Sequence, residues 1–227
     1  MNKKFTELAK KSKVIVIKVG SNILVNEKHV LRKKWLTSLI EDVQKLQKRG
    51  SKIIIVSSGA IALGRNILSK KKLTNLHEKQ AAASIGQIQL SQQWQKAFAK
   101  FNIQSSQILI TAEDLNERRK YLNIRNTIYS LMDLNVVPII NENDTTSTEE
   151  IRFGDNDKLS AMIANALSAE LLILLSDVNG LYTANPKKST DAKLITSVEE
   201  VDQEIEKYID KDLSEFGSGG MLSLIHI

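Results

Sequence analysis

Five short apolar runs, separated by segments with helical periodicity, constrain the fold of this 227-residue chain more than any other feature. Each run is five or six residues long, as expected of strands, and the continuous β-branched run Val14–Val19 is typical of a strand that is buried on both faces. Strands that alternate with helices form a mostly parallel sheet with helices on both faces. The sequence therefore predicts an α/β fold. The runs are Val14–Val19, Lys52–Val56, Gln107–Thr111, Val136–Ile140 and Leu171–Leu175.

Segments with the spacing of amphipathic helices lie between these runs. In the segment 31–49, apolar residues recur at helical spacing from Trp35 to Leu46, and Gly50 supplies a C-terminal stop. The chain shows no internal repeat, linker or low-complexity tract, so we interpret residues 1–227 as a single domain. Further helices are predicted after Ala60, from His77 to Phe101, from Tyr121 to Asn135, and from about Asp157 to Leu167.

Composition excludes several kinds of site. The chain has no cysteine, which rules out disulfide scaffolds, thiolate metal sites and cysteine nucleophiles. Its three histidines lack the spacing of a zinc site. No apolar run approaches the ~20 residues that span a membrane, and no signal-peptide pattern follows the basic N-terminus. We therefore expect a cytoplasmic protein that does not bind a membrane.

The chain is basic, with a net charge of +6 and a pI of about 9.3. Such a charge admits nucleic acid or a polyanionic small substrate as a partner, or simply a lysine-rich solvated surface. Aromatic residues make up only 5% of the chain, and the run Lys70-Lys71-Lys72 has no aromatic residues interleaved with it. The solvated surface is the better interpretation, and we expect no nucleic-acid partner.

The stretch from Val136 to Leu167 contains the most polar strand end in the chain. An apolar run leads directly into Asn141-Glu142-Asn143-Asp144, a polar loop follows, and Gly154-Asp155-Asn156-Asp157 opens a helix. Ligands of open α/β sheets lie beyond the carboxyl ends of strands, and long loops there are often functional. Any one of these carboxylates could cap a helix or form an Asx-turn. A cap needs only one carboxylate, so the cluster favours a binding site.

Four strand ends with small or polar residues are expected to share one edge of the parallel sheet. The Ser58-Gly59-Ala60 segment places backbone N–H groups at a helix N-terminus, which suits an anion, and the glycine loop 217–220 could wrap phosphate oxygens. Each of these glycine sites alone is equally typical of an ordinary turn. Together they favour phosphoryl transfer over hydride transfer. The strand ends are Lys18-Val19-Gly20, Ser57-Ser58-Gly59, Asn141–Asp144 and Ser176-Asp177.

Five motifs lie in order along the chain: VIKVGS at 16–21, VSSGAIA at 56–62, PIINEND at 138–144, FGDNDKLSA at 153–161 and GLYT at 180–183. They closely resemble the glutamate 5-kinase group of the amino acid kinase family. The resemblance extends over nearly the whole chain and implies a three-layer αβα sandwich with a mostly parallel central sheet. It also implies ATP and Mg²⁺, and phosphorylation of the side-chain carboxylate of L-glutamate, the first step of proline biosynthesis.

The resemblance also implies roles for residues that match the motifs. Lys18 corresponds to the lysine that contacts the transferring phosphoryl group, and Asp157 to the aspartate that holds the catalytic lysines in place. No residue is assigned to a metal. The implied glutamate-binding residues are Ser58, Asp144 and Asn156, and the implied ATP-binding residues are Lys18, Ser176, Asp177, Ser218, Gly219, Gly220 and Met221.

The implied reaction needs no general base. A glutamate side chain has a reference pKa of about 4.3, so its carboxylate is already an anion at neutral pH. It can attack the γ-phosphorus in line while Lys18, Mg²⁺ and backbone N–H groups stabilise the charge that spreads over the equatorial oxygens. Catalysis of this kind depends on positioning and electrostatics.

The sequence departs from the family pattern after Met221. The pattern continues with a second lysine, which would fall at Leu224, and with a further helix and strands. We therefore expect a kinase domain that is incomplete at its C-terminus and lacks the PUA domain that some members carry. The alternatives are a non-catalytic glutamate- or nucleotide-binding remnant, or an acetylglutamate or aspartate kinase. Glutamate kinases are commonly homo-oligomers, so the resemblance implies the same here.

Overall fold

The computed structural model describes residues 3–69, 72–147, 155–187 and 189–200, together with residues 202 and 205. No helix among these residues is long and apolar enough to cross a membrane. The strands are β1 (Val14–Val19), β2 (Lys52–Ser57), β3 (Ser105–Ile110), β4 (Val137–Glu142), β5 (Leu171–Leu175), β6 (Leu181–Tyr182) and β7 (Leu194–Ile195). The helices are α1 (Lys3–Lys11), α2 (Ser21–Leu24), α3 (Lys33–Lys48), α4 (Ala60–Ile67), α5 (Leu76–Ala99), α6 (Ala112–Asn116), α7 (Arg118–Asp133) and α8 (Asp155–Ala166).

All five predicted strands are confirmed, and β1 and β5 have the predicted bounds. Strand β4 runs two residues further than the apolar pattern indicates, because Asn141 pairs with Leu109 and Glu142 pairs with Ile110 of β3. The first two residues of the polar cluster Asn141–Asp144 therefore belong to the sheet. Backbone pairing fixes their positions more tightly than a loop would.

The predicted helices are also confirmed, with shifted ends and, in α3, a shifted buried face. The side of α3 that packs on the sheet is centred on Leu36, Ile40 and Val43, which are buried. Trp35 and Leu46 lie at its margins and are only partly buried. This helix contains the adjacent apolar pairs Trp35-Leu36 and Leu39-Ile40. Helical spacing alone therefore does not determine which member of each pair faces the sheet.

Four small parts of the fold have no counterpart among the predicted elements, namely α1, α2, α6 and the antiparallel β6–β7 pair. Helix α6 begins with a capping box, in which Asp114 N donates to Thr111 Oγ1 and Thr111 N donates to Asp114 Oδ2. The bond from the Thr111 N–H lowers the pKa of Asp114. The Thr-x-x-Asp spacing is a recognisable start signal, so α6 could have been predicted.

The five long strands form one parallel sheet in the order β3-β4-β2-β1-β5. Helices α3 and α5 pack on one face against residues such as Ile15 and Ile55, whereas α7 and α8 pack on the other against Val16 and Ile54. The predicted three-layer αβα sandwich is therefore confirmed. Because successive side chains alternate between faces, Lys18 shares the α8 face with Val16.

Helices α4 and α5 pack together at unusually short range through two glycines. A Cβ placed on Gly64 would lie 1.8 Å from Ala82 O, and one placed on Gly86 would lie 1.8 Å from Ala60 O. Any larger residue at either position would force the backbones apart. This contact holds α5 at a fixed depth beside the start of α4, which follows directly after Ser58 and Gly59.

Candidate active site

Backbone hydrogen bonds bring three predicted strand ends together. Ser58 N donates to Val19 O over 3.0 Å, and Gly20 N donates to Leu175 O over 3.0 Å. Strand β4 pairs with β2 on the other side, through Ile140. The carboxyl ends of β4, β2, β1 and β5 therefore lie side by side, as the strand order predicts.

Lys18 is a buried lysine near the end of β1. Its Nζ lies 2.5 Å from Asp157 Oδ1, and the two side chains are only 10% and 13% exposed. Asp157 lies in the first turn of α8, where the helix dipole favours a negative charge. Burial of an ammonium group is costly unless an opposite charge accompanies it, so the Asp157 carboxylate stabilises Lys18 in this position.

Gly20 leaves space beside this ion pair. A Cβ placed on Gly20 would lie 3.5 Å from Lys18 Nζ and 3.2 Å from Leu175 O. A side chain at this position would therefore crowd the neighbouring strand and would come into contact with the ammonium group. Glycine keeps the end of β1 open to a ligand.

Four side chains from different parts of the fold form a continuous chain of hydrogen bonds. Asn156 Nδ2 donates to Ser58 Oγ over 2.8 Å and to Asn141 Oδ1 over 2.9 Å. Asn141 Nδ2 in turn donates to Gln87 Oε1 over 2.8 Å. This amide network (Ser58, Asn156, Asn141 and Gln87) joins the turn after β2 to α8, β4 and α5. It brings Ser58 and Asn156, two of the predicted substrate-binding residues, into direct contact.

The turn that carries Ser58 is anchored by a buried pair. Trp94 Nε1 donates to Ser57 Oγ over 2.9 Å, and Ser57 Oγ donates to Ser58 O over 3.1 Å. Trp94 and Ser57 are both fully buried. Gly59 then adopts a φ of +117°, a left-handed conformation that favours glycine. These contacts fix the backbone at Ser58 before any ligand binds.

Asp144, the third predicted substrate-binding residue, lies half-buried in the turn that follows β4. The N–H groups of Thr146 and Ser147 donate to Asn143 O and close this turn. Gln80 of α5 donates from Nε2 to Ser147 O over 3.2 Å. Helix α5 therefore contacts the loop that follows β4 as well as the amide network.

The predicted ATP-binding residues Ser176 and Asp177 follow β5 and are exposed. Ser176 Oγ forms hydrogen bonds across its own turn, with Val178. Asp177 Oδ2 lies 2.5 Å from Lys187 Nζ. The hydrogen bond from Lys187 lowers the pKa of Asp177, and a weaker one from Asn22, just beyond β1, acts in the same direction.

Some predicted positions lie outside the described residues. These are Ser218, Gly219, Gly220 and Met221 of the glycine loop, and Leu224. Within the part of the chain that the structure describes, no group of three or more His, Cys, Asp or Glu side chains could hold a metal ion.

Sequence reasoning assigned no role to Gln87, Gln80 or Trp94, although all three contact the site. The 77–101 segment is rich in glutamine, but this composition does not show which glutamines face the sheet edge. Asn141 was placed in the polar cluster without a function. Its position at the end of an apolar run was the available signal.

Comparison with known proteins finds several relatives that are named glutamate 5-kinase. The glutamate 5-kinase of Pelagibacter ubique is 50% identical over 217 residues, which cover 95% of this chain and 59% of that protein. The glutamate 5-kinase of Nitrosospira multiformis is 46% identical over 217 residues, covering 95% and 58%. That of Brucella abortus is 50% identical over 208 residues, covering 91% and 55%. The chain thus spans less than three fifths of the length of these relatives.

Solved structures with the same fold include two crystal structures of isopentenyl phosphate kinase. A substrate complex matches with a TM-score of 0.61 and 14% identity, covering 91% of this chain and 88% of that one. A second structure matches with a TM-score of 0.60 and 18% identity, covering 90% and 88%. These likenesses concern the fold alone. The model of the amino acid kinase family matches residues 13–227, and the chain belongs to that family.

Proposed function

We propose that this chain phosphorylates the side-chain carboxylate of L-glutamate with ATP, giving L-glutamyl 5-phosphate and ADP. The observation that carries the proposal is a buried lysine ammonium together with a partly buried amide network at one sheet edge. Identity of about 50% to glutamate 5-kinases supports glutamate as the acceptor. No observation favours the alternatives of a binding remnant or of an acetylglutamate or aspartate kinase. The reaction would be the first step of proline biosynthesis.

The substrate side of the proposed site is the amide network together with the turn after β4. Ser58 and Asn156 would bind glutamate through hydrogen bonds, and Asp144 would pair with its α-ammonium group. The short distances between Ser58, Asn156 and Asn141 support this proposal, because they form a polar patch that requires no rearrangement to meet a ligand.

The proposed chemistry is an in-line displacement. A carboxylate oxygen of glutamate forms a bond to the γ-phosphorus, the bond from that phosphorus to the β–γ bridging oxygen breaks, and ADP leaves with the electron pair. No proton is transferred, since the carboxylate is already ionised at neutral pH. Lys18 would stabilise the charge on the transferring group, and Asp157 would hold Lys18 in place.

The nucleotide side would be formed by Ser176, Asp177 and the segment 218–221. Magnesium is commonly held by one or two carboxylates together with substrate phosphates. The carboxylate beside Lys18 is that of Asp157, and it is already paired with the Lys18 ammonium, so we assign no residue of the described site to the ion and propose that Mg²⁺ would arrive with the nucleotide phosphates. When bound, Mg²⁺ neutralises charge on the phosphate oxygens.

Three further proposals rest on the family alone. We expect the protein to act in the cytoplasm, to assemble as a homo-oligomer, and to use residues 1–227 as one kinase domain. Fractionation, analytical ultracentrifugation and limited proteolysis would test them in turn.

The decisive experiment measures ADP release by the 227-residue chain with ATP and Mg²⁺, with and without L-glutamate. N-acetylglutamate and aspartate are the matched controls, because they keep the carboxylates but change the α-amino group or the chain length. Turnover that depends on glutamate supports the proposal. A rise in melting temperature with glutamate but no turnover supports the pocket and indicates a remnant. Neither signal, or a preference for a control, would reject glutamate as the substrate.

A further inference from the structure

A backbone N–H group fixes the direction of the whole amide network. Glu142 N donates to Asn156 Oδ1 over 3.3 Å. Because a backbone N–H can only donate, Asn156 must present its oxygen to Glu142 and its Nδ2 to the other two partners. The two Nδ2 hydrogens are then divided between Ser58 Oγ and Asn141 Oδ1.

The donor and acceptor roles of Asn141 and Gln87 follow in the same way from the orientation of Asn156. Asn141 accepts with its oxygen, so its Nδ2 must donate, and the partner on that side is Gln87 Oε1. Asn141 is only 3% exposed, so water has little access to its amide. Without an acceptor at position 87, Asn141 would leave a buried donor unpaired, and turning its amide over would set that donor against Asn156 Nδ2 instead.

At the other end, the network determines what Ser58 can offer to a ligand. A serine hydroxyl has one proton to donate and two positions that accept. Ser58 Oγ already accepts from Asn156 Nδ2, so its remaining strong interaction is donation of that proton. A hydroxyl directed in this way suits a carboxylate, which only accepts hydrogen bonds.

We propose that Gln87 is a positioning residue for glutamate binding. It accepts from Asn141, which in turn accepts from Asn156, and it thereby holds both amides in the positions that support the Ser58 hydroxyl. This inference rests on the proposed function, since the carboxylate that Ser58 would meet is that of glutamate. It goes beyond that function because Gln87 lies three hydrogen bonds away from Ser58.

The packing of α4 on α5 supports this role. Gly86, next to Gln87 in α5, lies against Ala60 O at the start of α4, two residues after Ser58. Both ends of the network are therefore attached to one rigid helix pair. Because the two helix backbones are in close contact, we expect a change at position 87 to affect Ser58 through the hydrogen bonds of the network rather than through a shift of the backbone.

The test compares Gln87→Leu with Gln87→Glu. Leucine has a similar size but no acceptor, whereas glutamate keeps an oxygen for Asn141 Nδ2 and should restore function. Gln92→Leu, at an exposed position of the same helix, is the matched control. Calorimetry gives the Kd for glutamate and for ATP, and NMR gives the hydrogen exchange of the Asn141 and Asn156 side-chain amides.

We expect Gln87→Leu to weaken glutamate binding about tenfold, which corresponds to one lost hydrogen bond, and to leave ATP binding within about twofold. The Asn141 amide should exchange faster in this variant, and Gln87→Glu should recover most of the affinity. Equal losses for glutamate and ATP, or an unchanged glutamate Kd, would overturn the inference. If the wild-type chain binds no glutamate, the proposed function fails, and unchanged amide exchange in Gln87→Leu would separately reject the role of Gln87.

Discussion

The site contains two lysine–aspartate ion pairs with the same separation and opposite surroundings. Lys18 and Asp157 are 2.5 Å apart with side chains that are 10% and 13% exposed. Lys187 and Asp177 are also 2.5 Å apart, but their side chains are 63% and 36% exposed. Water screens the second pair far more than the first, so the two charges of the buried pair interact more strongly than those of the exposed pair at the same separation.

The hydrogen bonds around the two pairs differ in the same way. On the proposed substrate side, Asn156 bonds to Ser58 across 98 residues of sequence, and Asn141 bonds to Gln87 across 54. On the proposed nucleotide side, Asp177 bonds to Lys187 across 10 residues. The proposed substrate side therefore depends on the packing of the whole sandwich, whereas the proposed nucleotide side is organised largely by its own loop. Distant substitutions should affect the first and spare the second.

The largest expected effect comes from removing the buried ammonium group. Lys18→Met keeps most of the side-chain volume and should lower kcat by about 10²–10³-fold, the usual cost of losing one preorganised charge-stabilising group. Steady-state kinetics of ADP release would measure it, together with the Kd for glutamate, which should change little.

Lys52→Met is the matched control for Lys18→Met. Lys52 also belongs to an inner strand of the sheet, but its Nζ donates to Met132 O near the opposite edge. This variant should keep its kcat. Wild-type turnover by Lys18→Met would contradict the proposed role of the buried pair.

The second effect tests whether the substrate side depends on remote packing. Gly86→Ala would place a Cβ 1.8 Å from Ala60 O, so the backbones of α4 and α5 must separate. We expect a loss of about 1–3 kcal/mol in unfolding free energy, or roughly 2–4 °C in Tm for each kcal/mol. Glutamate affinity should fall and ATP affinity should not. Ser84→Ala, at an exposed position of the same helix, is the control and should leave stability and glutamate affinity unchanged. If Gly86→Ala also left both unchanged, glutamate binding would not depend on the packing of α4 against α5.

A third, smaller effect concerns the anchor below Ser58. Ser57→Ala leaves the buried Trp94 Nε1 without its acceptor, and an unpaired buried donor costs about 1–3 kcal/mol. Denaturant unfolding would measure this loss. In a Trp94→Phe background the same substitution should cost clearly less, because no donor remains to be left unpaired. Equal costs in both backgrounds would show that the hydrogen bond does not anchor the turn.

The strands could be predicted from sequence because their positions depend on local hydrophobicity, as the identical bounds of β1 and β5 illustrate. Alternation along β1 also implies the face on which Lys18 lies. The family resemblance implies that Asp157 holds the catalytic lysines; the structure shows Asp157 paired with Lys18, and the catalytic role stays a prediction. The role of Gln87 could not be predicted, because it depends on how deeply α5 packs on α4, and that depth is set by the contact of Gly86 with Ala60 rather than by any periodic pattern.

The smallest effect should come from the exposed pair. Exposed ion pairs contribute at most about 1 kcal/mol, so Asp177→Asn should change the unfolding free energy little at pH 7. Because Lys187 lowers the pKa of Asp177 in the folded protein, this contribution is present above the ordinary aspartate pKa of about 3.9 and is lost as the pH falls through the lower folded value. The difference in stability between wild type and Asp177→Asn should therefore shrink between pH 7 and about pH 3. Asp191→Asn, at an exposed position in the same region of sequence, is the control. A large effect at pH 7 would show that the nucleotide side is not the locally organised surface inferred from its exposure.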